Sequence, residues 1–283
     1  MILSEPARVP RDGRRESVSL VIPAKDEARN VAWVLRRLPA DVDEVILVDG
    51  RSVDDTVAVA RAVRPDIVVV AERAPGKGAA MRTGMEIASC DVIVLLDADG
   101  SMDPREIDRY VQAAADADLV KGSRFAARGG SDDISFLRQL GNRTLLGLVN
   151  VLYGARLTDL CYGFCAVRRE ALPALDLRCD GFEIETEMTV RALRAGLRVR
   201  EVPSFEAPRR YGESHLRTVR DGVRVLRTLL RERLRRTRMR GREAGAVPAL
   251  APPAVFDGAR AMASSNGRHG EAVAAPMPIG HRR

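Results

Sequence analysis

The feature that most constrains the fold is an alternation of short β-branched runs with helical patterns in the first half of the chain. Four runs are apolar on both faces, as buried parallel strands require, at residues 18–22, 44–48, 67–70 and 92–96. Helical spacing fills the gaps between them, at residues 27–38, 54–62 and 78–88. This βαβαβαβ order predicts an α/β, Rossmann-like fold with a mixed, mainly parallel central sheet flanked by helices.

The pattern continues less regularly beyond the fourth strand. Asp103 and Pro104 supply an N-cap and a first-turn proline, which predict a helix to about Ala115 and then a strand at residues 118–121. Further helices are predicted at residues 136–153, 183–195 and 216–234, and further strands at 163–168 and 198–202. The last helix is amphipathic, since its apolar residues recur three and four apart: Leu216, Val219, Val223, Leu226 and Leu230.

The two ends differ in composition from the region between them. Residues 1–16 are polar and basic and predict a flexible arm, whereas residues 236–283 are rich in Ala, Pro, Gly and Ser and predict a disordered tail. A single domain is expected at residues 17–235, with halves at 17–122 and 123–235. No apolar core of a signal peptide follows the first arginines, and no apolar run reaches the roughly 18 residues of a membrane span, which predicts a cytoplasmic protein.

The net charge of +7 comes mainly from arginines between Arg191 and Arg240. Aromatic residues that could stack on bases are not interleaved with them, so nucleic acid is not predicted as a partner. An anionic membrane surface or a phosphate-bearing substrate fits this charge, and the alternative is a well-solvated helix face. The four cysteines lack the spacing of a zinc site or a disulfide framework.

Two carboxylates, Asp97 and Asp99, follow the fourth predicted strand directly. They would repel one another unless a cation or water lies between them. Mg²⁺ and Mn²⁺ prefer oxygen ligands and complete their shells with substrate phosphates, so we predict that this pair binds one of them. The alternative is a solvated turn that caps the next helix, but Asp103 already supplies that cap.

Other polar loops are expected at the same edge, because ligands of an open α/β sheet lie beyond the carboxyl ends of its strands. The segment from Pro23 and Ala24 to Glu27 follows the first strand, Asp49 ends the second, and Lys77 lies between glycines before a helix. A lysine at a helix N-terminus attracts phosphate, and Asp49 could accept hydrogen bonds from a base or a ribose. Glu27 is either a first-turn acid or a nucleotide contact. The spacing of the glycines matches neither a P-loop nor a dinucleotide fingerprint.

An ordered set of motifs carries a family resemblance. Val-Ser-Leu-Val-Ile-Pro-Ala-Lys-Asp-Glu at 18–27, Val-Asp-Gly-Arg-Ser-Val-Asp-Asp-Thr at 48–56, Gly-Lys-Gly at 76–78 and Asp-Ala-Asp-Gly at 97–100 resemble family 2 glycosyltransferases of the GT-A fold. Three later motifs resemble the polyprenyl-phosphate branch of that family, which includes dolichol-phosphate mannosyltransferase. They are Asp-Leu-Cys-Tyr-Gly-Phe-Cys-Ala-Val-Arg-Arg at 159–169, Gly-Phe-Glu-Ile-Glu-Thr-Glu-Met at 181–188 and Arg-Tyr-Gly-Glu-Ser-His at 210–215.

The resemblance implies a role for each half of the domain. Residues 17–122 would bind a nucleotide sugar, and residues 123–235 would bind the acceptor. Asp97 and Asp99 would hold the metal, and Arg210 and Ser214 the phosphates, although His215 stands where the family usually has lysine. The full nucleotide-sugar set would be Pro23, Ala24, Glu27, Asp49, Lys77, Asp97, Ala98 and Asp99.

The need for a catalytic base depends on the acceptor. A phosphate monoester is an anion at neutral pH and needs little help from a base, so cationic positioning groups would matter more. The phosphate-binding candidates are Arg124, Arg168, Arg169, Arg209 and Arg210. A hydroxyl acceptor would need a base, for which Asp159 and Glu185 rank above Glu183 and Glu187, and Glu187 could instead pair with Arg191.

These patterns together predict a metal-dependent enzyme that moves a hexose from a UDP- or GDP-sugar to a polyprenyl phosphate, with inversion. One alternative is a soluble small-molecule acceptor, and another is a sugar-nucleotide-binding protein without turnover. The helices at 136–153 and 216–234 could rest on the inner face of a membrane, or their apolar stripes could pack on this domain or on a second subunit. The residues do not predict an oligomeric state.

Overall fold

The computed structural model describes residues 15–213 and 216–235. The described strands are β1 Val18–Ala24, β2 Glu44–Asp49, β3 Val68–Ala71, β4 Val92–Leu95, β5 Leu119–Ser123, β6 Gly130–Ser131, β7 Cys165–Arg168, β8 Val199–Pro203 and β9 Phe205–Glu206. The described α-helices are α1 Val31–Leu35, α2 Thr56–Val63, α3 Lys77–Ile87, α4 Ile107–Ala114, α5 Phe136–Tyr153, α6 Leu172–Leu175, α7 Ile184–Arg194 and α8 Thr218–Leu234. The residues outside these ranges include Ser214, His215, most of the predicted arm and all of the predicted tail.

The central sheet has seven strands in the order β3-β2-β1-β4-β7-β5-β8. Every pairing is parallel except the two made by β7, which runs antiparallel to β4 and to β5. The predicted α/β sheet with mainly parallel strands is therefore confirmed. The reversal of β7 has a geometric consequence, since Cys165 pairs with Leu95 at the carboxyl end of β4 and Arg168 pairs with Val92 at the opposite end.

Two apolar layers bury the sheet, one on each face. Leu20 and Ile22 of β1 point into one layer, and Val21 between them points into the other. This alternation explains why the strands are apolar on both faces. Helix α3 approaches β1 closely because Gly84 has no side chain, since a Cβ there would lie 2.2 Å from Val21 Cγ1.

The start of one predicted helix differs in the structure, and the predicted cap of another is present. Helix α1 begins at Val31 rather than at residue 27, because the Glu27 carbonyl accepts the N–H groups of Asn30 and Val31 in a preceding turn. The predicted cap at Asp103 is confirmed, and its carboxylate accepts the N–H of Arg105 at 3.0 Å. Two residues of the predicted arm contact the domain, since Arg15 donates to Asp43 and Glu16 pairs with Arg168.

Helix α8 packs against α5 and α7 through a mixed polar and apolar face. Val225 and Leu229 are buried in a small cluster with residues of α5 and α7. The Glu232 carboxylate is 1% exposed and accepts from Arg191 and Arg194, each at 3.0 Å. These contacts turn the predicted apolar stripe outward. Its members in the described helix remain 40–73% exposed: Val219, Val223, Leu226 and Leu230.

Candidate functional site

A crevice of about 650 Å³ lies at the carboxyl ends of the parallel strands. Its lining comes from the loops after β1, β2 and β4, from the start of α3, and from the residues just before β7. The residues before β7 lie at this edge because β7 is antiparallel to its neighbours and so begins where they end. The predicted convergence of four loops is thus present, and β7 adds a fifth segment.

Lys77 joins two carboxylates at the floor of the crevice. Its Nζ lies 2.7 Å from Asp97 Oδ1 and 2.9 Å from Glu185 Oε1. Burial raises the pKa of Asp97 to about 6, although the neighbouring Lys77 ammonium opposes that shift. Burial alone would lower the pKa of Lys77, but the two carboxylates outweigh it and raise that pKa. The ammonium therefore stays charged and holds both acids in place.

The glycines beside Lys77 have a packing role. The N–H groups of Gly78 and Ala79 donate to the Asp180 carbonyl at 2.8 and 3.2 Å, so they are not free for a phosphate. A Cβ on Gly76 would lie 2.1 Å from that same oxygen, and Gly76 has a φ of +117°. The amides of Gly78 and Ala79 therefore do not contribute to a phosphate site, and Lys77 is the charged group of this loop that lines the crevice.

Gly163 lies directly against the Lys77 cluster. A Cβ at this position would lie 2.6 Å from Lys77 Nζ, 2.7 Å from Glu185 Oε1 and 3.4 Å from Asp97 Oδ2. Only a residue without a side chain leaves these three groups in contact. This glycine was not among the predicted site residues, and its place in the Tyr-Gly-Phe motif before β7 was the available signal.

Arg209 bridges Asp99 and Glu27. The family resemblance had assigned the phosphate contact to its neighbour, Arg210. Asp99 accepts from Ser101 N and Oγ at 2.9 and 2.7 Å, and Arg209 Nη1 lies 3.3 Å from its other oxygen. Arg209 also pairs with Glu27, whose pKa is raised by burial. Arg210 is exposed and places its guanidinium 4.7 Å from the Trp33 ring centre. Arg209 is therefore the one of the two that reaches the acids.

Asp97 and Asp99 fit a divalent cation by the chemistry of their donors. Both line the crevice and keep 24% and 19% of their side chains exposed. Within residues 15–213 and 216–235, no group of three or more His, Cys, Asp or Glu side chains could hold a metal. A cation on this pair would therefore take its other ligands from water and substrate oxygens, which suits Mg²⁺ and Mn²⁺.

The loops after β1 and β2, which carry the predicted nucleotide contacts, are linked because Asp26 N donates to Ser52 Oγ at 2.9 Å. Pro23, Ala24 and Arg51 line the crevice, and Ala98 beyond them is buried. Asp49 lies beside this lining and accepts the N–H of Ser52 at 3.2 Å. The carboxylate of Asp49 thus orders the loop after β2.

At the other end, Arg124 lines the crevice and Asp159 lies behind it. Arg124 Nε and Nη2 donate to Asp159 at 2.7 and 3.0 Å, and Nη1 donates to Glu206 at 3.0 Å. Asp159 is fully buried and does not reach the crevice surface, where a base would have to lie. The prediction of Asp159 as a catalytic base is corrected, and its carboxylate positions Arg124.

Two more predicted residues lie away from the crevice. Arg168 ends β7 at the opposite edge of the sheet and donates to the Ala114 carbonyl at 2.8 Å, so it cannot bind a phosphate at this site. Glu187 is fully buried and pairs with Arg191 at 2.7 Å, which confirms the structural alternative. Arg138 was not among the predicted residues; it lines the crevice in the first turn of α5 and pairs with Asp133 at 3.3 Å.

Comparison with known proteins agrees with this geometry. Residues 19–175 match the model of Glycosyl transferase family 2. An undecaprenyl-phosphate mannosyltransferase of Micrococcus luteus is 34% identical over 212 residues, covering 70% of this chain and 87% of the relative. Glycosyltransferase AglJ of Haloferax volcanii is 30% identical over 212 residues, covering 73% of this chain and 69% of the relative.

A solved structure shares the fold. Glucosyl-3-phosphoglycerate synthase from Mycobacterium tuberculosis, in complex with Mn²⁺, UDP and glucosyl-3-phosphoglycerate, superposes with a TM-score of 0.63 at 24% identity. The match covers 77% of this chain and 80% of that chain, and it confirms the predicted GT-A fold. None of the helices in the described part of the chain has the length and apolar character needed to cross a bilayer.

Proposed function

The chain belongs to glycosyl transferase family 2, and from this premise we propose that it transfers a hexose from a UDP- or GDP-sugar to a polyprenyl phosphate, with inversion. The observation that carries the proposal is the position of the crevice mouth. The acidic pair lies at its floor, while α5 and α8 line its outer part and expose apolar side chains to solvent. A lipid-linked acceptor needs this combination of a charged floor and an apolar rim.

The chemistry follows from the charges around the crevice floor. A divalent ion held by Asp97 and Asp99 would neutralise the diphosphate as it leaves. An acceptor phosphate oxygen forms the new bond to the anomeric carbon while the bond from that carbon to the donor diphosphate breaks. Since the attacking oxygen is already anionic, no side chain has to remove a proton. Lys77 fixes Asp97 and Glu185, so these acids are in place before the substrates bind.

We also propose that the exposed apolar face of α5 and α8 rests on the membrane that holds the acceptor. On α5, Phe136, Leu137 and Leu140 are 80%, 57% and 51% exposed. Leu137 and Leu216 also line the crevice, so the apolar surface reaches the site. An exposed apolar face beside arginines such as Arg143 fits the interface of an anionic bilayer.

The proposal is tested by incubating the purified protein with radiolabelled UDP- and GDP-hexoses, Mn²⁺ and a polyprenyl phosphate in detergent. We expect label from one donor to enter the organic phase on extraction. Asp99→Asn should abolish this transfer, whereas Asp116→Asn, which changes an exposed acid outside the crevice, should not. Transfer of label only to water-soluble phosphorylated acceptors would replace the polyprenyl phosphate with a soluble substrate, and donor binding without any turnover would contradict an enzymatic role.

A further inference from the structure

Residues 207–213 follow β9 and form a strap beside the crevice. Arg209 is the strap residue that bridges Asp99 and Glu27. Its guanidinium offsets carboxylate charge that would otherwise repel the diphosphate of a donor. The conformation of the strap therefore determines whether the acidic side of the crevice accepts an anionic ligand.

Two residues just before α1 hold the middle of the strap. Asn30 Nδ2 donates to the Tyr211 carbonyl at 3.0 Å, and the Arg29 guanidinium lies 4.1 Å from the centre of the Tyr211 ring. Arg209 Nε donates to the same carbonyl at 2.8 Å. The strap is therefore attached to the α1 side of the domain two residues after the arginine that reaches the acids.

Trp33 of α1 makes a further contact with the strap, through Arg210. The indole packs against one of the two apolar layers, and its ring centre lies 4.7 Å from the Arg210 guanidinium. Gly100 leaves room for this contact, since a Cβ there would lie 2.7 Å from Arg210 Cδ and 3.3 Å from Trp33 Cε3. A guanidinium over an aromatic face is attracted by the electrons of the ring, and tryptophan gives the strongest contact of this kind. Trp33 thus ties the strap to the body of the domain.

We propose that Trp33 is a positioning residue for donor binding, which acts through Arg210 to hold Arg209 beside Asp99 and Glu27. The proposal rests on the proposed function, because the ligand concerned is the donor of that reaction. Trp33 lies outside the crevice lining, so its effect passes through the strap. Without the indole contact, the strap has to be ordered when the donor binds, and this cost weakens binding.

The test measures binding of UDP and GDP with Mn²⁺ by calorimetry, and then transfer to a water-soluble, short-chain prenyl phosphate. Trp33→Leu keeps an apolar side chain but removes the aromatic face. We expect it to weaken binding of the preferred nucleotide, and to raise the KM for the corresponding sugar nucleotide, about 3- to 30-fold. The KM for the acceptor should not change. Trp33→Phe, which restores an aromatic ring, should recover part of the loss.

Arg37→Ala is the matched control. Arg37 also places its guanidinium over the Trp33 ring, 4.3 Å from the ring centre, but it belongs neither to the strap nor to the crevice lining. Its removal should leave nucleotide binding and both KM values unchanged.

The fluorescence of Trp33 reports the contact directly, because this residue is the only tryptophan of the chain. Acrylamide should quench the emission more strongly in Arg210→Ala than in the wild type, since the guanidinium no longer covers the ring. Equal quenching in the two proteins would show that the contact is absent and would overturn the proposal.

A double-mutant cycle separates coupling from independent effects. If Trp33 acts through Arg210, Trp33→Leu combined with Arg210→Ala should weaken nucleotide binding no more than Arg210→Ala alone. Fully additive losses overturn the proposal, as does the same loss in Arg37→Ala or wild-type binding in Trp33→Leu. If Trp33→Leu does not fold, unchanged nucleotide binding in Arg210→Ala overturns it equally.

The outcomes also distinguish this inference from the function on which it rests. Nucleotide binding that depends on Trp33, in a protein that transfers no sugar, contradicts the proposed function and leaves the positioning role in place. Sugar transfer with a donor KM that is the same in Trp33→Leu and the wild type overturns the positioning role alone. A wild-type protein that binds neither UDP nor GDP with Mn²⁺ contradicts both.

Discussion

Gly163→Ala is the substitution that tests the arrangement of the crevice floor most directly. The added Cβ would lie 2.6 Å from Lys77 Nζ and 2.7 Å from Glu185 Oε1, whereas ordinary contacts begin at 3.4 Å. Each atom must therefore retreat by about 0.7–0.8 Å if the backbone stays in place. Both atoms end flexible side chains, so they can move at little cost to folding. The movement, however, disrupts the contacts through which Lys77 holds Asp97 and Glu185.

The expected result is a large loss of activity with little loss of stability. A displacement of about 1 Å at a catalytic centre can cost about 100-fold in rate, so we expect the turnover of Gly163→Ala to fall between about 10- and 100-fold. The free energy of unfolding, measured in urea, should fall by no more than about 1 kcal/mol. Transfer to the prenyl acceptor at saturating donor and Mn²⁺ provides the rate.

Gly147→Ala is the matched control. A Cβ at this helical position of α5 meets no atom within 4 Å, and Gly147 does not line the crevice. Alanine there should stabilise the helix by about 0.4–1 kcal/mol and leave turnover unchanged. If Gly163→Ala turns over at the wild-type rate, the three groups are not held as described. If it unfolds instead, Gly163 acts through the backbone and not through Lys77.

Three further predictions concern the buried network, the metal and the apolar face. Glu232→Gln should lower the free energy of unfolding by about 3 kcal/mol at pH 7, because it removes the charge that pairs Arg191 and Arg194, whereas the exposed Glu86→Gln should not. Burial opposes ionisation of Glu232, but its arginine partners outweigh burial and lower its pKa. The difference in free energy of unfolding between the variant and the wild type should therefore narrow as the pH falls below 4.5. Urea titrations in which that difference stays constant would contradict this assignment. Chelation by EDTA should abolish transfer, and Mn²⁺ or Mg²⁺ should restore it; full activity in EDTA would refute the role of the acidic pair. Phe136→Gln combined with Leu230→Gln, two exposed positions outside the crevice lining, should reduce flotation with anionic vesicles about tenfold or more while leaving transfer to a soluble acceptor within twofold. Unchanged flotation would refute the membrane face.

The sequence could predict the crevice because its placement depends on strand direction alone. Once β1, β2 and β4 are parallel, the residues that follow them must meet at one edge, whatever the details of packing. Asp97, Asp99 and Lys77 were found for this reason. The reversal of β7 was not readable from its apolar pattern, because a buried strand has the same pattern in either direction. That ambiguity placed Arg168 in the site, although it ends at the far edge.

The sequence does not show which charged side chains pair with one another, and this limited the predictions for Asp159, Glu187 and Arg209. A carboxylate in a sequence motif can face a substrate or hold an arginine, and the residue type does not distinguish the two. Asp159 holds Arg124 and Glu187 holds Arg191, whereas Glu185, two residues away from Glu187, faces the crevice. The choice between Arg209 and Arg210 had the same difficulty, because adjacent residues in a loop project in different directions and only the fold determines which one reaches Asp99.

Helix α8 shows how buried charge can determine which face of an amphipathic helix is exposed. Burying the Val219, Val223, Leu226 and Leu230 stripe against α7 would gain apolar contact, but it would turn Glu232 away from Arg191 and Arg194. The same rotation would expose Val225 and Leu229, which are buried now, and so would offset the apolar gain. Leaving a buried arginine without its carboxylate costs about 3–5 kcal/mol in addition. The buried charges therefore fix the rotation of the helix, and the apolar stripe remains exposed beside the crevice. A surface of this kind is costly in water unless something covers it, which is the physical reason for our proposal that a membrane lies on this side of the protein.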